Sequence, residues 1–127
     1  MKKSFFDFSN TYVNLPDHFF QRVKPQRVKN PKLLKINLNL AKSLGLKVKD
    51  LDNISIDEIL CGNKLPKGAE PIAMAYAGHQ FGNFVPSLGD GRAILLGEVL
   101  TPENKRFDIQ LKGAGITKFS RSGDGRA

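Results

Sequence analysis

The stretch GDGRAILLGEVLTPENKRFDIQLKG (89–113) decides how this chain folds. Ala93–Leu100 reads as a strand, apolar on both faces in its first half. Arg106–Leu111 alternates strictly, with Phe107, Ile109 and Leu111 on one face. Between them, Thr101-Pro102-Glu103-Asn104-Lys105 is built of turn residues. The segment therefore predicts a hairpin whose open end carries Gly89–Arg92 and Lys112 together.

The chemistry of that open end follows from its residue types. Gly89 and Gly91, one residue apart, permit positive φ and leave no side chain in the way of a close ligand. Backbone N–H groups of such a loop can converge on phosphate oxygens, and Arg92 adds a planar fork of donors. Alone, a Gly-Asp-Gly triplet reads first as a plain structural turn, and a lysine ending an alternating strand is most often a solvent-facing one. Lys112 stands twenty-three residues after Gly89, one hairpin away. Protein kinases place a phosphate-pairing lysine one hairpin after a glycine-rich loop. The same five residues, GDGRA, recur at 123–127, so a second small charged turn can present Asp124 or its backbone to the same ligand, or be a second structural turn. GAGITKFS (113–120) lacks the closing Gly-Lys-Ser/Thr of a Walker A loop, and no GxGxxG opens a helix as in a dinucleotide fingerprint.

Upstream, Phe-rich residues 1–30 are punctuated by Pro16 and Pro25, with a helix entry at Asn14–Asp17 and a short helical turn over His18–Val23. Residues 24–31 (KPQRVKNP) read as extended. KLLKINLNLAKSLG (32–45) predicts an amphipathic helix between Pro31 and Gly45, against a competing strand alternation at Leu34, Ile36, Leu38 and Leu40. Ser55-Ile56-Asp57-Glu58 resembles a capping box opening a short helix through Leu60, followed by a loop over 63–71. Ile72–Gly78 fits a strand or a short helix. The organisation expected is a mainly helical extension over 1–70 followed by a strand-rich lobe over 71–127.

Composition limits the function classes. The chain has 127 residues, 40% hydrophobic and 25% charged, which is ordinary for one globular domain. One cysteine, Cys61, excludes an intrachain disulfide and a cysteine-built zinc site, and reads as a small core residue in a reducing compartment. His18 and His79 are too far apart in sequence to suggest a metal site, and His79 in AYAGHQFGNF reads as a buried, hydrogen-bonded residue that fixes its loop rather than a catalytic one. No run approaches the eighteen or more apolar residues of a membrane span, and polar residues interrupt MKKSFFDFSN before a signal-peptide core can form, so a cytoplasmic setting is expected. The net charge of +8 comes mainly from lysines spread over 22–49 without interleaved aromatics, which favours a solvated surface over a nucleic-acid-binding module.

PIAMAYAGHQFGNFVPSLGDGRAILLGEV (71–99) and FDIQLKGAGITKFSRSGDGRA (107–127), with FSNTYVNLPDHFF and CGNKLPKGAEP upstream, resemble the selenoprotein O family, also called the YdiU or UPF0061 family. The resemblance covers essentially the whole chain. It implies an α+β fold in which the 71–127 segment begins a protein-kinase-like (pseudokinase) small lobe that binds ATP in reversed orientation. It implies protein adenylylation with Mg²⁺ (or Mn²⁺), AMP passing from ATP to a Ser, Thr or Tyr hydroxyl of a protein substrate. By motif match, the ATP-binding positions fall on Gly89, Gly91, Arg92, Lys112, Asp124 and Gly125. The catalytic-base Asp, the metal ligands and the C-terminal Cys or selenocysteine motif of the family belong to segments after residue 127, so no catalytic or metal residue is carried over. The chain is accordingly expected to be an N-terminal part, inactive in transfer by itself and marginal in stability where its hairpin lacks cover. The alternatives are a non-catalytic nucleotide-binding or regulatory fragment and, behind it, a basic nucleic-acid-binding module.

Overall fold

The computed structural model describes residues 4–51 and 55–126. Its centre is a four-stranded antiparallel sheet. The strands are β1 (Phe20–Arg22), β2 (Ile72–Met74), β5 (Ala93–Leu100) and β6 (Arg106–Lys112), in spatial order β1-β2-β5-β6. A separate two-stranded hairpin, β3 (Gly78–Gln80) with β4 (Asn83–Val85), precedes β5. Three short helices, α1 (Leu38–Ser43), α2 (Val48–Leu51) and α3 (Ile56–Leu60), lie between β1 and β2. The class is α+β, as the sequence predicts. None of the described helices is long and apolar enough to cross a membrane.

The β5–β6 hairpin forms as its alternation requires, with Ile94 opposite Leu111 and Val99 opposite Phe107. A register shift between Leu95 and Gly97 inserts one residue, which brings Val99 to the same face as Ile94 and Leu96, while Leu95 faces the other way. On one face, Ile94, Leu96, Leu111 and Ala114 pack with Phe8, Val23 and Leu65, and Val99 with Phe6 and Ile59. On the other, Leu95 packs with Ile72 and Phe20, backed by Tyr12 and Val13. The hairpin is thus covered by the chain's own N-terminal residues, contrary to the expectation that it lacks cover. Burial of this kind contributes about 25 cal/mol per Å² of apolar surface, which an isolated hairpin does not obtain.

The N-terminal strap is tied down by one carboxylate. Glu98 on β5 accepts hydrogen bonds from the Thr11 N–H (2.6 Å), the Thr11 hydroxyl (2.6 Å) and the Tyr12 N–H (2.9 Å). Arg106 lies 3.4 Å away across the hairpin. Burial alone pushes this carboxyl up, but the three hydrogen bonds and Arg106 outweigh it and hold Glu98 below the ordinary carboxylate value.

Several local expectations are corrected. The helix predicted over 32–45 is confined to Leu38–Ser43, because the Asn37 side chain caps it by accepting from the Leu40 N–H at 3.0 Å. Ala41 of that helix is buried and Leu44 packs against Phe6, Ile59 and Val99, whereas Leu34 is 97% exposed, so only the second half of the apolar stripe meets the core. The capping box at Ser55 does not form: the helix begins there, but the serine side chain makes no cap bond, and the Glu58 N–H goes to the Asp57 carboxylate. His18–Val23 is a 3-10 turn, Asp17–Phe19, running into β1. β1 pairs with β2 in the register Phe20–Met74, Gln21–Ala73 and Arg22–Ile72, so segments from both sides of residue 70 share one sheet.

Candidate functional site

The two GDGR segments meet at one end of this sheet. The first lies between β4 and β5, and its entry is held by backbone bonds from the Leu88 and Gly89 N–H groups to the Tyr76 carbonyl. Lys112 sits directly opposite Ala93, and the Gly113 N–H donates to the Arg92 carbonyl at 2.7 Å. The antiparallel register therefore brings the end of β6 alongside the first loop, as the hairpin reading predicts.

The chain leaving β6 then wraps over that loop. The Thr117 hydroxyl donates to the Asp90 carbonyl at 2.6 Å, and the Ser120 hydroxyl donates to the Gly91 carbonyl. Thr117 and Ser120 also brace one another, the Thr117 N–H donating to the Ser120 oxygen at 2.9 Å. The Phe119 ring packs against Gly89 so closely that a Cβ there would stand 2.5 Å from it, at a φ of +62°. The second GDGR is fixed by a bridge between Ala114 and Arg126 and by the Gly115 N–H donating to the Gly125 carbonyl at 3.1 Å.

Between the two segments lies a cleft of about 300 Å³. Gly89, Gly91 and Arg92 form one wall, and Asp124 and Gly125 stand on the other. Five of the six ATP-binding positions expected from the sequence are thus brought together. Lys112 is exposed at the end of β6 and stands outside the cleft wall, beside Arg92 rather than across from it. Sequence reasoning gave no site role to Arg121, Arg126, Ser120 and Phe119, which also line the cleft. The signal available for them was the position of FSRSGDGR between two glycine loops.

The wall carries three arginines, Arg92, Arg121 and Arg126, against one carboxylate, Asp124. Arg126 is steadied by donating to the Arg27 carbonyl at 3.2 Å. Such a wall of guanidinium groups and glycine backbone suits a polyanion with several oxygens. Among the described residues, no three His, Cys, Asp or Glu come together as a metal-holding group. Asp124 alone is too little for a divalent cation, which takes six or more oxygen ligands.

The remaining polar residues of the motif take other roles. His79 is exposed on β3, its ring 5.5 Å from that of Phe84, so the expectation of a buried, loop-fixing histidine is overturned. The buried polar group there belongs to its neighbour: Gln80 Oε1 has no hydrogen-bond partner among the described residues, and Gln80 lines the cleft. Cys61 is half-buried beside the Glu58 carbonyl, at 3.4 Å.

The chain is 62% identical over 122 residues to protein nucleotidyltransferase YdiU of Bradyrhizobium sp. (strain ORS 278), covering 96% of this chain and 25% of that relative. It is 58% identical over 121 residues to the YdiU protein of Brevibacillus brevis and 58% over 120 residues to that of Alkalilimnicola ehrlichii, covering 24% of each. The chain thus spans about a quarter of the length of these relatives. The family described as protein adenylyltransferase SelO matches residues 3–127, and the chain belongs to that family.

Proposed function

We propose that the cleft between the two GDGR segments binds the polyphosphate of ATP, as the nucleotide end of a protein adenylyltransferase. The observation that carries this reading is the convergence of both glycine loops and three arginines on one cleft, in a chain of this family. The Gly91 N–H takes no bond among the described residues and is open to a phosphate oxygen, Gly89 admits the Phe119 ring that packs on the loop, and Arg92, Arg121 and Arg126 neutralise charge. Lys112 reaches the same end from β6 and adds a mobile ammonium. Asp124 and Gly125 close the second wall.

When bound, ATP supplies the AMP group that a Ser, Thr or Tyr hydroxyl of a protein substrate accepts, with pyrophosphate leaving. The contribution of this chain's residues is positioning and charge stabilisation of an in-line displacement. The kinase-like small lobe is the fold reading that accompanies it: glycine loop, β5, turn, and β6 ending in lysine. The general base and the ligands of Mg²⁺ (or Mn²⁺) are assigned to the part of the relatives that this chain does not match, so no transfer is expected from these residues alone. The setting that goes with ATP and protein substrates is cytoplasmic.

Calorimetric titration of the chain with ATP, with and without Mg²⁺, tests the reading. Saturable binding that inorganic triphosphate displaces and Arg92→Ala weakens is the expected result. Binding that survives Arg92→Ala, or heat only in the presence of DNA or RNA and steeply lost with salt, would overturn it.

A further inference from the structure

We infer that Asp90 is the positioning residue of this cleft, holding Gly89–Arg92 in the arrangement that leaves the Arg92 side chain exposed in the cleft wall. The inference rests on the nucleotide reading above and assigns a role to a residue outside its contact set.

The two copies of GDGR use the same aspartate in opposite ways. In the second copy Asp124 is exposed, and its Oδ1 accepts from the Arg126 N–H at 2.9 Å within its own turn. In the first copy Asp90 is buried, 4% exposed. Its Oδ2 accepts from the Met74 N–H at 3.0 Å and from the Gln110 amide at 3.4 Å, and its Oδ1 from the Tyr76 hydroxyl at 2.8 Å. Its own N–H donates to the Met74 carbonyl at 2.9 Å, and its carbonyl accepts from Thr117. One residue thereby ties the loop to β2, to the segment after it, to β6 and to the wrap over the cleft.

The direction in which this carboxylate faces bears on Arg92 as well. Its partners are all neutral, and none of the described ion pairs includes it. An Asp two residues before an Arg on a surface turn can neutralise that Arg. Here Asp90 faces inward, and the Arg92 side chain, exposed in the cleft wall, has no hydrogen bond or ion pair among the described residues. A purely structural turn has no need to leave a cation uncompensated, whereas a polyphosphate site does. Tyr76 is suited to its part, since a phenol stays protonated, and so a donor to Asp90, through the neutral range.

The test uses the chain with Asp90→Ala and Asp90→Asn, read by amide hydrogen exchange and by ATP calorimetry. In Asp90→Ala, exchange at residues 74, 89 and 90 is expected to rise about tenfold or more while β5 and β6 amides keep their rates, and ATP affinity falls about tenfold. Asp90→Asn retains an acceptor for Met74 and Gln110 and is expected to recover most of both. A general loss of structure would raise exchange everywhere and would not be rescued. If Asp90→Ala fails to fold, Thr117→Val removes the bond to the Asp90 carbonyl together with the one the Thr117 oxygen accepts from the Phe119 N–H, with loop-confined exchange and weaker ATP binding expected. Wild-type loop exchange, or wild-type ATP affinity, in a folded Asp90→Ala or Thr117→Val protein overturns the Asp90 inference alone. Absence of ATP binding by the unsubstituted chain overturns the nucleotide reading, and the role of Asp90 towards ATP falls with it.

Discussion

Gly115 donates its N–H to the carbonyl of Gly125 at 3.1 Å, and the same contact leaves no room for a side chain on Gly125. A Cβ there would lie 2.6 Å from the Ile116 nitrogen and closer still to the Gly115 carbonyl, and the φ of +70° disfavours any other residue. Gly125→Ala is therefore expected to destabilise by about 2–3 kcal/mol or to release the second loop from the first. Gly82 is the control: φ is +78° but nothing stands within 4 Å, so Gly82→Ala meets only backbone strain, about 1 kcal/mol. Thermal melts of the two variants should rank Gly125→Ala as the more damaging, and the reverse order would contradict this account of the second loop.

Glu98 makes the N-terminal strap sensitive to acid. Its carboxyl is held below the unfolded value of 4.5 by Thr11, Tyr12 and Arg106 against the opposing effect of burial. A depressed carboxyl contributes stability that is fully present above pH 4.5 and is lost as pH falls through the folded value. Glu98→Gln is expected to lower stability by about 1–3 kcal/mol at pH 7. The gap between the two proteins should then narrow below pH 4.5. Urea melts across this range check it, and a gap that stays constant into acid would remove Glu98 as the tether.

Tyr76 gives the opposite limb. Its raised pKa means that the folded protein favours the neutral phenol, so its contribution is complete below pH 10 and declines as pH rises towards about 12. Tyr76→Phe removes the hydrogen bond to Asp90 and is expected to cost about 1–2 kcal/mol at pH 7. The difference from the unsubstituted chain should shrink between pH 10 and 12, and absorbance titration should show both tyrosines ionising late, with the Tyr76 step removed by Tyr76→Phe. An ordinary titration of both tyrosines would argue against the Asp90–Tyr76 bond.

How much of this was legible in the sequence depended on the range of the interactions involved. The β5–β6 hairpin and the meeting of Lys112 with the first glycine loop follow from alternation and a short turn, both local. The failure over 32–37 was also physical: Leu33 and Leu34 spell a helix, but Leu34 is left exposed among the described residues, and Asn37 starts the helix late. β1 and β2 pair across fifty residues, and no local pattern announces such a contact. In the cleft, the glycines and Arg92 were readable because their chemistry is carried by residue type. The inward turn of Asp90 was not, since GDGR at 123–126 is the same sequence and turns its aspartate outwards.

Lys112 separates nucleotide binding from surface charge. It is exposed, directly opposite Ala93, and makes no ion pair among the described residues, so its removal takes no structural contact with it. Lys112→Ala is expected to leave the melting temperature within about 1 °C, as surface substitutions of this kind change stability by only a few tenths of a kcal/mol. If the side chain reaches phosphate from the end of β6, ATP affinity falls about tenfold, the value of one charge-assisted contact. Lys35 is a matched control, a cation equally exposed on the 22–49 segment. Lys35→Ala should leave ATP affinity unchanged. Equal losses from both substitutions would mean that overall positive charge attracts the nucleotide, and the cleft would lose its claim to a defined phosphate site.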